Sequence, residues 1–359
     1  MRKPKLFLIS SGRLLPFLGL FASLAVWGQQ VSGRVTANAQ QPVAGALVKV
    51  QARGGVQTIV STTGADGTFS ASGIKTDEAL VSVEKDGVLL FRAIVSTKSG
   101  EPMDISLPQP FHLSGWHPAD LAADPAQGVL VVDTGGGVWR IRNDAQGPHR
   151  DVLFQIPLGF SISSITAGEG VVFVTTNPAT GCTVFRFTIA NRSTDRKVLS
   201  LSETCSGIAV AGSAIYVAFS QSKEVRRWDN WDSTQPKGFG VNNDAALGSL
   251  LFDKQGQRLL VADRDGRLYA MPLAGGKATQ LTSGAGWIAS LAADSNHILM
   301  ASGKKIVMIA RSDNHGEKDP PALTSLTGGT LAGLAFDSAG NLWYADYSNG
   351  TVSGPLIFR

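Results

Sequence analysis

The chain has 359 residues, with 32 Lys and Arg against 28 Asp and Glu. Four of the positive charges fall within the first 13 residues, and the rest of the chain carries 28 charges of each sign. A neutral chain without a cluster of Lys or Arg lacks the positive surface on which binding to nucleic acids and anionic membranes depends. Composition and charge therefore argue against both classes of partner.

Residues 1–28 have the pattern of a secretory signal peptide. The segment contains four basic residues and no acidic residue: Arg2, Lys3, Lys5 and Arg13. Residues 14–26 follow as an apolar stretch of 13 residues, which is shorter than the roughly 20 residues of a membrane-spanning helix. A cleaved signal peptide is therefore favoured over a retained anchor. Small residues allow cleavage after Ala25 or Gly28, and the mature protein is expected to be secreted or periplasmic.

Residues 29–108 form the first predicted domain, a small β-sandwich. The segment is rich in Val, Thr, Gly and Ser, with short alternating apolar stretches separated by turn sequences. Pro42 restricts the backbone in a loop that leads into a strand, and the small pair Gly45 and Ala46 permits close approach of another backbone. The Asp66-Gly67 turn returns Phe69 to the core. This pattern is typical of an all-β sandwich.

The order of these motifs resembles that of the carboxypeptidase regulatory-like domain, a small transthyretin-like sandwich. The resemblance covers nearly the whole segment and rests on residues 33–35, 42–50, 62–69 and 81–83 and on Gly87. It implies an accessory module without catalytic groups, of a kind found at the N-terminus of exported proteins. The sequence contains no HExxH-type pair and no cluster of His and Glu at metal-ligand spacing, so neither a peptidase nor a metal or other cofactor is expected.

Residues 109–359 form the second predicted domain, which follows a proline-containing linker at residues 108–110. Six times, a small residue and an aliphatic anchor are followed by a polar turn and an apolar run that ends in Asp, Ser or Thr. The anchors are Leu121, Ile165, Ile208, Leu250, Leu291 and Leu334. Their spacing of 41 to 44 residues is typical of β-propeller blades. The predicted fold is therefore all-β, a small β-sandwich followed by a six-bladed β-propeller.

The last repeat contains only three predicted strands, so the ring needs a fourth strand from elsewhere. Residues upstream of the first blade are suited to supply it, either Phe111 to Leu113 or the stretch around Ile105. If one of these segments closes the ring, deletion of that segment is expected to destabilise the propeller.

Two segments of the repeat, residues 336–346 and 250–256, resemble blades of six-bladed propellers of the NHL and TolB-like kind. The resemblance covers about residues 113–359. It implies the fold and leaves the function open, because such propellers include lyases, lactonases, scaffolds and protein binders. The gluconolactonase branch holds a metal with carboxylates at strand ends around the channel. The matching triplets here, which begin at residues 116, 161, 204, 246, 286 and 330, contain no carboxylate. Streptogramin-lyase-like propellers use axial histidines, and only His117 is suitably placed.

Three acids at the ends of second strands, Asp133, Asp263 and Asp346, are interpreted as structural turn caps. A short acceptor side chain at such a position binds amides of the following turn. The equivalent residues of the other blades, Thr176, Ser220 and Ser302, have the same capability. Interchangeability of this kind favours a structural role over a catalytic one.

Asp120 and His117 form a different candidate, because Asp120 is the only charged residue among the small positions that precede the anchors. The two side chains are candidates to hold a water molecule or ligand at the channel mouth. The alternative is a surface His beside an Asp that is bonded to the backbone.

Four tryptophans and two cysteines complete the set of candidates. Trp116 and Trp287 occupy the same position at the start of two inner strands, where they either bind a partner or pack between blades. Trp228 and Trp231 fall on the opposite rim. Cys182 and Cys205 fall on one face between neighbouring blades, so a disulfide is predicted for the exported chain, with two buried thiols as the alternative.

The sequence favours an exported binding or interaction protein that recognises a glycan or a protein partner with the propeller. The alternative is a propeller hydrolase or lyase of the lactonase type acting at the channel mouth. An enzyme requires converging ionisable groups there, and the sequence offers only His117 and Asp120.

Overall fold

The computed structural model describes most of the chain beyond the leader. The described residues are 29–37, 41–55, 57–85, 88–107, 111–113, 115–126, 128–144, 147–241, 244–311, 317–318, 320, 322–325 and 329–356. Their regular structure consists of 33 β-strands. None of these residues belongs to a helix long and apolar enough to cross a membrane. The predicted signal peptide, the linker prolines and Gly87 of the resembling motif lie outside the described residues.

The N-terminal domain is a sandwich of two four-stranded sheets, as predicted. Its strands are β1 (Gln29–Ala37), β2 (Gln41–Pro42), β3 (Leu47–Ala52), β4 (Thr58–Thr62), β5 (Thr68–Ile74), β6 (Glu78–Lys85), β7 (Val88–Ser96) and β8 (Met103–Leu107). One sheet has the order β2-β1-β5 with β8 parallel to β1, and the other has the order β4-β3-β6-β7. Alternate residues such as Val48, Val50, Val81 and Val83 are fully buried between the sheets. Gly67 has a φ of 79°, which the tight turn before Phe69 requires.

The remaining strands form the propeller, and its first three blades each contain four antiparallel strands. A short strand, β9 (Phe111–His112), precedes them. Blade one contains β10 (Pro118–Ala123), β11 (Val129–Asp133), β12 (Gly137–Asp144) and β13 (Gly147–Gln155). Blade two contains β14 (Ser161–Gly168), β15 (Val171–Asn177), β16 (Cys182–Thr188) and β17 (Ser193–Ser200). Blade three contains β18 (Cys205–Ala211), β19 (Ala214–Phe219), β20 (Glu224–Trp228) and β21 (Lys237–Gly240).

The next three blades complete the ring. Blade four contains β22 (Leu247–Asp253), β23 (Arg258–Asp263), β24 (Leu268–Pro272) and β25 (Thr279–Ser283), with β29 (Glu317–Lys318) added in parallel at its edge. Blade five contains β26 (Ile288–Ala293), β27 (His297–Ser302), β28 (Lys305–Ala310) and β30 (Ala322–Ser325). Blade six contains β31 (Leu331–Phe336), β32 (Leu342–Asp346) and β33 (Thr351–Leu356).

The strand that closes blade six comes from the start of the propeller. Phe111 and His112 of β9 pair in antiparallel fashion with Val352 and Thr351 of β33. The inner strands β31 and β10 pack together, and an apolar cluster fills each of the six gaps between neighbouring blades. The prediction of closure by Phe111 to Leu113 is confirmed. The alternative is wrong, because Ile105 belongs to β8 and pairs within the sandwich.

Every inner strand carries a β-bulge immediately before its aliphatic anchor. The register shifts lie at Pro118/Asp120, Ile162/Ser164, Cys205/Gly207, Leu247/Leu250, Ile288/Ser290 and Leu331/Gly333. A bulge bends and twists its strand, which turns the small residue towards the axis. Space there is tight, since a Cβ at Gly333 would lie 2.6 Å from the amide nitrogen of Leu121. This crowding explains why the residues before the anchors are small.

The propeller has two unlike faces. We call the face formed by the starts of the inner strands and the turns between second and third strands the upper face, and the opposite one the lower face. The sandwich lies at the lower side of blades five and six, where β7 contacts β30 and β33. Residues of the sandwich line a cleft there together with the lower turns at residues 294–296 and 337–340. The upper face is therefore on the side away from the sandwich.

Candidate functional site

Large exposed apolar side chains follow the upper face in an arc. Trp116 and Trp287 are 49% and 60% exposed at the starts of blades one and five. Leu158 and Leu201 are 80% and 81% exposed in the turns that lead into blades two and three, and Tyr347 is 43% exposed in the turn of blade six. We call these five residues the apolar arc. Blade six lies between blades five and one, so the arc runs from blade five through blades six, one and two to blade three.

Packing holds the aromatic part of the arc in place. The Trp116 indole lies against Gly135, where any side chain would overlap its ring. The His117 ring stacks on Tyr347 at a centroid distance of 5.0 Å and bonds the Tyr347 carbonyl through Nδ1. The His117 carbonyl accepts a hydrogen bond from the Thr134 amide at 2.8 Å. This part of the upper face is therefore preorganised, which lowers the entropy cost of binding.

His117 and Asp120 have different neighbours. His117 is exposed on the rim, whereas Asp120 is 7% exposed inside the channel. The Asp120 carboxylate accepts hydrogen bonds from the amides of Leu121 and Ile165 at 2.8 and 3.1 Å. It also accepts from the hydroxyls of Ser164 and Ser290 at 2.8 and 3.1 Å. Four donors occupy the carboxylate, and burial raises the pKa of Asp120 to about 6.

The hydrogen bonds of the Asp120 carboxylate indicate a structural role. Its hydroxyl donors come from blade two and blade five, so one side chain of blade one connects inner strands on two sides of the axis. A general base needs a free lone pair within reach of a substrate proton, and these four bonds leave none. Among the described residues there is also no group of three or more His, Cys, Asp or Glu that could hold a metal ion.

The acids at the ends of second strands bind the turns that follow them. Asp133 accepts from the amides of Gly135 and Gly137 at 2.9 Å and from the Trp139 indole at 2.6 Å. Asp263 accepts two amides of its turn as well, whereas Asp346 accepts the Asn349 amide of its turn and the Thr330 amide that precedes β31. A second group of aspartates, which sequence reasoning did not single out, caps the lower turns in the same way: Asp124, Asp253, Asp294 and Asp337.

Cys182 and Cys205 form a disulfide with a Cα–Cα distance of 5.4 Å. It joins the third strand of blade two to the inner strand of blade three, and both residues are buried. Trp228 is also buried, and Trp231 lies 4.8 Å from the Arg186 guanidinium. The tryptophans of blade three therefore pack within the propeller, unlike Trp116 and Trp287.

Three members of the arc were missed by sequence reasoning. Leu158, Leu201 and Tyr347 each lie in a connecting turn, where polar residues are the norm. Leu158 stands between Pro and Gly, and Leu201 between two serines. A search for large apolar residues in turns on one rim would have found them.

Residues 30–108 match the family of the carboxypeptidase regulatory-like domain. No curated protein sequence matches the chain significantly. A structural-genomics protein of unknown function from Bacteroides thetaiotaomicron is similar in structure, with a TM-score of 0.54 and 13% identity, covering 85% of this chain and 89% of that one.

Two further solved structures are similar. An auxiliary nutrient binding protein, also from Bacteroides thetaiotaomicron, has a TM-score of 0.51 and 9% identity, covering 85% of this chain and 89% of that one. A chain of a nidogen/laminin complex has a TM-score of 0.52 and 16% identity, covering 61% of this chain and 85% of that one. At these identities the likeness shows the fold alone. The two Bacteroides proteins match more of this chain than the propeller contains, so their likeness extends into the sandwich.

Proposed function

We propose that this chain, a carboxypeptidase regulatory-like domain followed by a six-bladed β-propeller, is an exported binding protein that docks a protein partner on its upper face. The observation that carries the proposal is the apolar arc, which lies on the face that the sandwich leaves open. Five large apolar side chains exposed on one open face support an interaction surface, because covering them with a partner removes apolar area from water. Two of the similar structures are named as a nutrient binding protein and as part of a protein complex, which supports a binding role.

The composition of the arc favours a protein over a glycan. Trp and Tyr are enriched at the centres of protein interfaces, where they contribute a large share of the binding energy. Leu158 and Leu201 are the most exposed members of the arc, and an aliphatic side chain offers no flat ring for a sugar to stack on. Burying such side chains against a partner gains about 25 cal/mol per Å² of apolar surface.

The expected location agrees with this role. A signal peptide and an oxidising compartment suit a chain whose two cysteines are disulfide-bonded. The sandwich serves as an accessory module that packs below the propeller. Enzyme activity of the lactonase type finds little support, because the Asp120 carboxylate is fully bonded to its neighbours.

The test is capture of protein partners from an extract of the cell envelope on the immobilised mature chain. The double variant Leu158→Asp, Leu201→Asp places charges in the arc. Val152→Asp, Val198→Asp is the matched control, because both valines are more than half exposed on outer strands. We expect the control to retain the captured protein and the arc variant to lose at least nine tenths of it. Equal capture by both variants would contradict the proposal, as would binding of oligosaccharides alone.

A further inference from the structure

A cleft separates the sandwich from the lower side of blades five and six. Side chains alternate along β6 and β7, so Val81 and Val83 enter the sandwich core while Leu80, Arg92 and Ile94 point the other way. These outward side chains line the cleft together with Met308 of blade five and the lower turns of blades five and six. Both domains therefore contribute walls to one space.

The cleft is large enough for a small molecule. Its volume is about 690 Å³, and a second cavity of about 370 Å³ shares four of its lining residues: Gln51, Leu80, Arg92 and Met308. Ligand sites of small molecules are mostly 300 to 1,000 Å³ and occur preferentially between domains. The axial channel offers only about 300 Å³ around the saturated Asp120.

The two walls carry opposite charges. Arg92 projects from the sandwich, where burial lowers the pKa of its guanidinium without deprotonating it. Asp294 and Asp337 project from the propeller turns. Asp337 is saturated, because its carboxylate accepts two amides, the Asn341 side chain and the Trp343 indole.

Asp294 retains capacity to accept a further donor. Its Oδ1 atom accepts the amides of Asn296 and His297 at 2.7 and 2.6 Å. Among the residues that the structure describes, its Oδ2 atom contacts only the His297 ring nitrogen, at the longer distance of 3.4 Å. The Asp294 side chain is 20% exposed and lines the cleft.

We propose that the cleft binds a short zwitterionic peptide or amino-acid derivative with apolar side chains. Its carboxylate pairs with Arg92 on the sandwich, and its ammonium group donates to Asp294 on the propeller. Leu80, Ile94 and Met308 line the same cleft with apolar surface, and methionine adapts to side chains of different shape. Guanidinium and carboxylate form charge-assisted, often bidentate hydrogen bonds, which fixes the orientation of such a ligand.

Calorimetric titration of the mature chain with leucyl-leucine tests the proposal. N-acetyl-leucyl-leucine lacks the ammonium group, and leucyl-leucine amide lacks the carboxylate. We expect each modification to weaken binding at least tenfold. The Arg92→Gln variant should bind leucyl-leucine amide and leucyl-leucine with the same affinity. The Asp294→Asn variant should bind the acetylated and the unmodified peptide with the same affinity. Asn keeps an oxygen for the turn amides, so Asp294→Asn should fold.

Controls separate this site from other surfaces. Arg34→Gln removes an arginine on the far sheet that bonds the Asp66 carbonyl, and it should leave both preferences unchanged. The arc variant Leu158→Asp, Leu201→Asp should also bind leucyl-leucine normally. If Arg92→Gln unfolds, Met308→Asp tests the same cleft from the propeller wall and should weaken binding at least tenfold. Failure of the folded wild type to bind leucyl-leucine would overturn the proposal, as would preferences that survive in the Arg92 and Asp294 variants.

Discussion

Asp120 connects inner strands around the axis of the propeller. Its carboxylate accepts hydroxyl donors from Ser164 and Ser290, and Ser290 accepts the amide of Leu334 in blade six. Residues of four blades thus share one network. Burial raises the pKa of Asp120 from 3.8 to about 6 despite these bonds, which means that the folded state binds a proton more tightly than the unfolded chain.

The pH dependence of stability follows from that shift. An acid whose pKa is higher in the folded state makes the protein more stable as the pH falls through the window between the two pKa values. Between pH 7.5 and pH 5, Asp120 should add about 1.4 kcal/mol to the free energy of unfolding. Asp120→Asn cannot titrate and should lack this gain. Urea unfolding of both proteins at the two pH values measures the difference, and parallel profiles would contradict the account.

The sequence indicated part of the role of Asp120. It is the only charged residue among the small positions before the anchors, which marked it as special. Its neighbour Ser290 is 170 positions away, and the ring closure that brings the two together leaves no local pattern. His117 is close in sequence, yet the bulge between Pro118 and Asp120 lies between the two residues, and they face different surroundings.

At the level of elements, ring closure depends on the two-residue strand β9. Phe111 is 8% exposed and packs against Trp343 with ring centroids 6.2 Å apart. His112 follows on the same strand with an exposed side chain. Closure therefore combines the pairing with β33 and the apolar packing of Phe111 and of the neighbouring Leu113, which is buried in the same cluster.

Truncation of Phe111 should weaken the closure of the ring. Phe111→Ala should lower the free energy of unfolding by about 3 kcal/mol, the range for a large buried aromatic side chain. His112→Ala, the control on the same strand, should change it by less than about 0.5 kcal/mol. Denaturant unfolding monitored by tryptophan fluorescence compares the two. An equal effect of both variants would contradict the stabilising role of Phe111 packing in ring closure.

The repeat could be predicted from the sequence because every blade has the same local pattern of residues. Anchors such as Leu121 and Leu334 recur at a nearly constant spacing. The missing fourth strand of the last blade indicated closure by an upstream segment, but the sequence left open whether that segment was Phe111 to Leu113 or the stretch around Ile105. The bulges could not be predicted from the sequence, because they are a property of the register between two paired strands. The cleft was not readable either, since Arg92 and Asp294 belong to different domains and their proximity depends on how the domains pack.

For the whole molecule, the position of the sandwich determines which propeller face is open. The sandwich lies at the lower side of blades five and six, and the apolar arc lies on the upper face. The disulfide between Cys182 and Cys205 ties blade two to blade three close to Leu201. The lower side thus has a cleft between the two domains, and the upper face carries the surface on which we propose that a partner docks.

The most direct test of docking on the upper face is photocrosslinking in living cells. A photoreactive phenylalanine replaces Leu158 in the arc or, as the control, Val152 on the outer strand of blade one. The account predicts a specific covalent adduct with a second protein from position 158 and none from position 152. An adduct from position 152 alone, or no adduct from position 158 in the folded and exported protein, would contradict it.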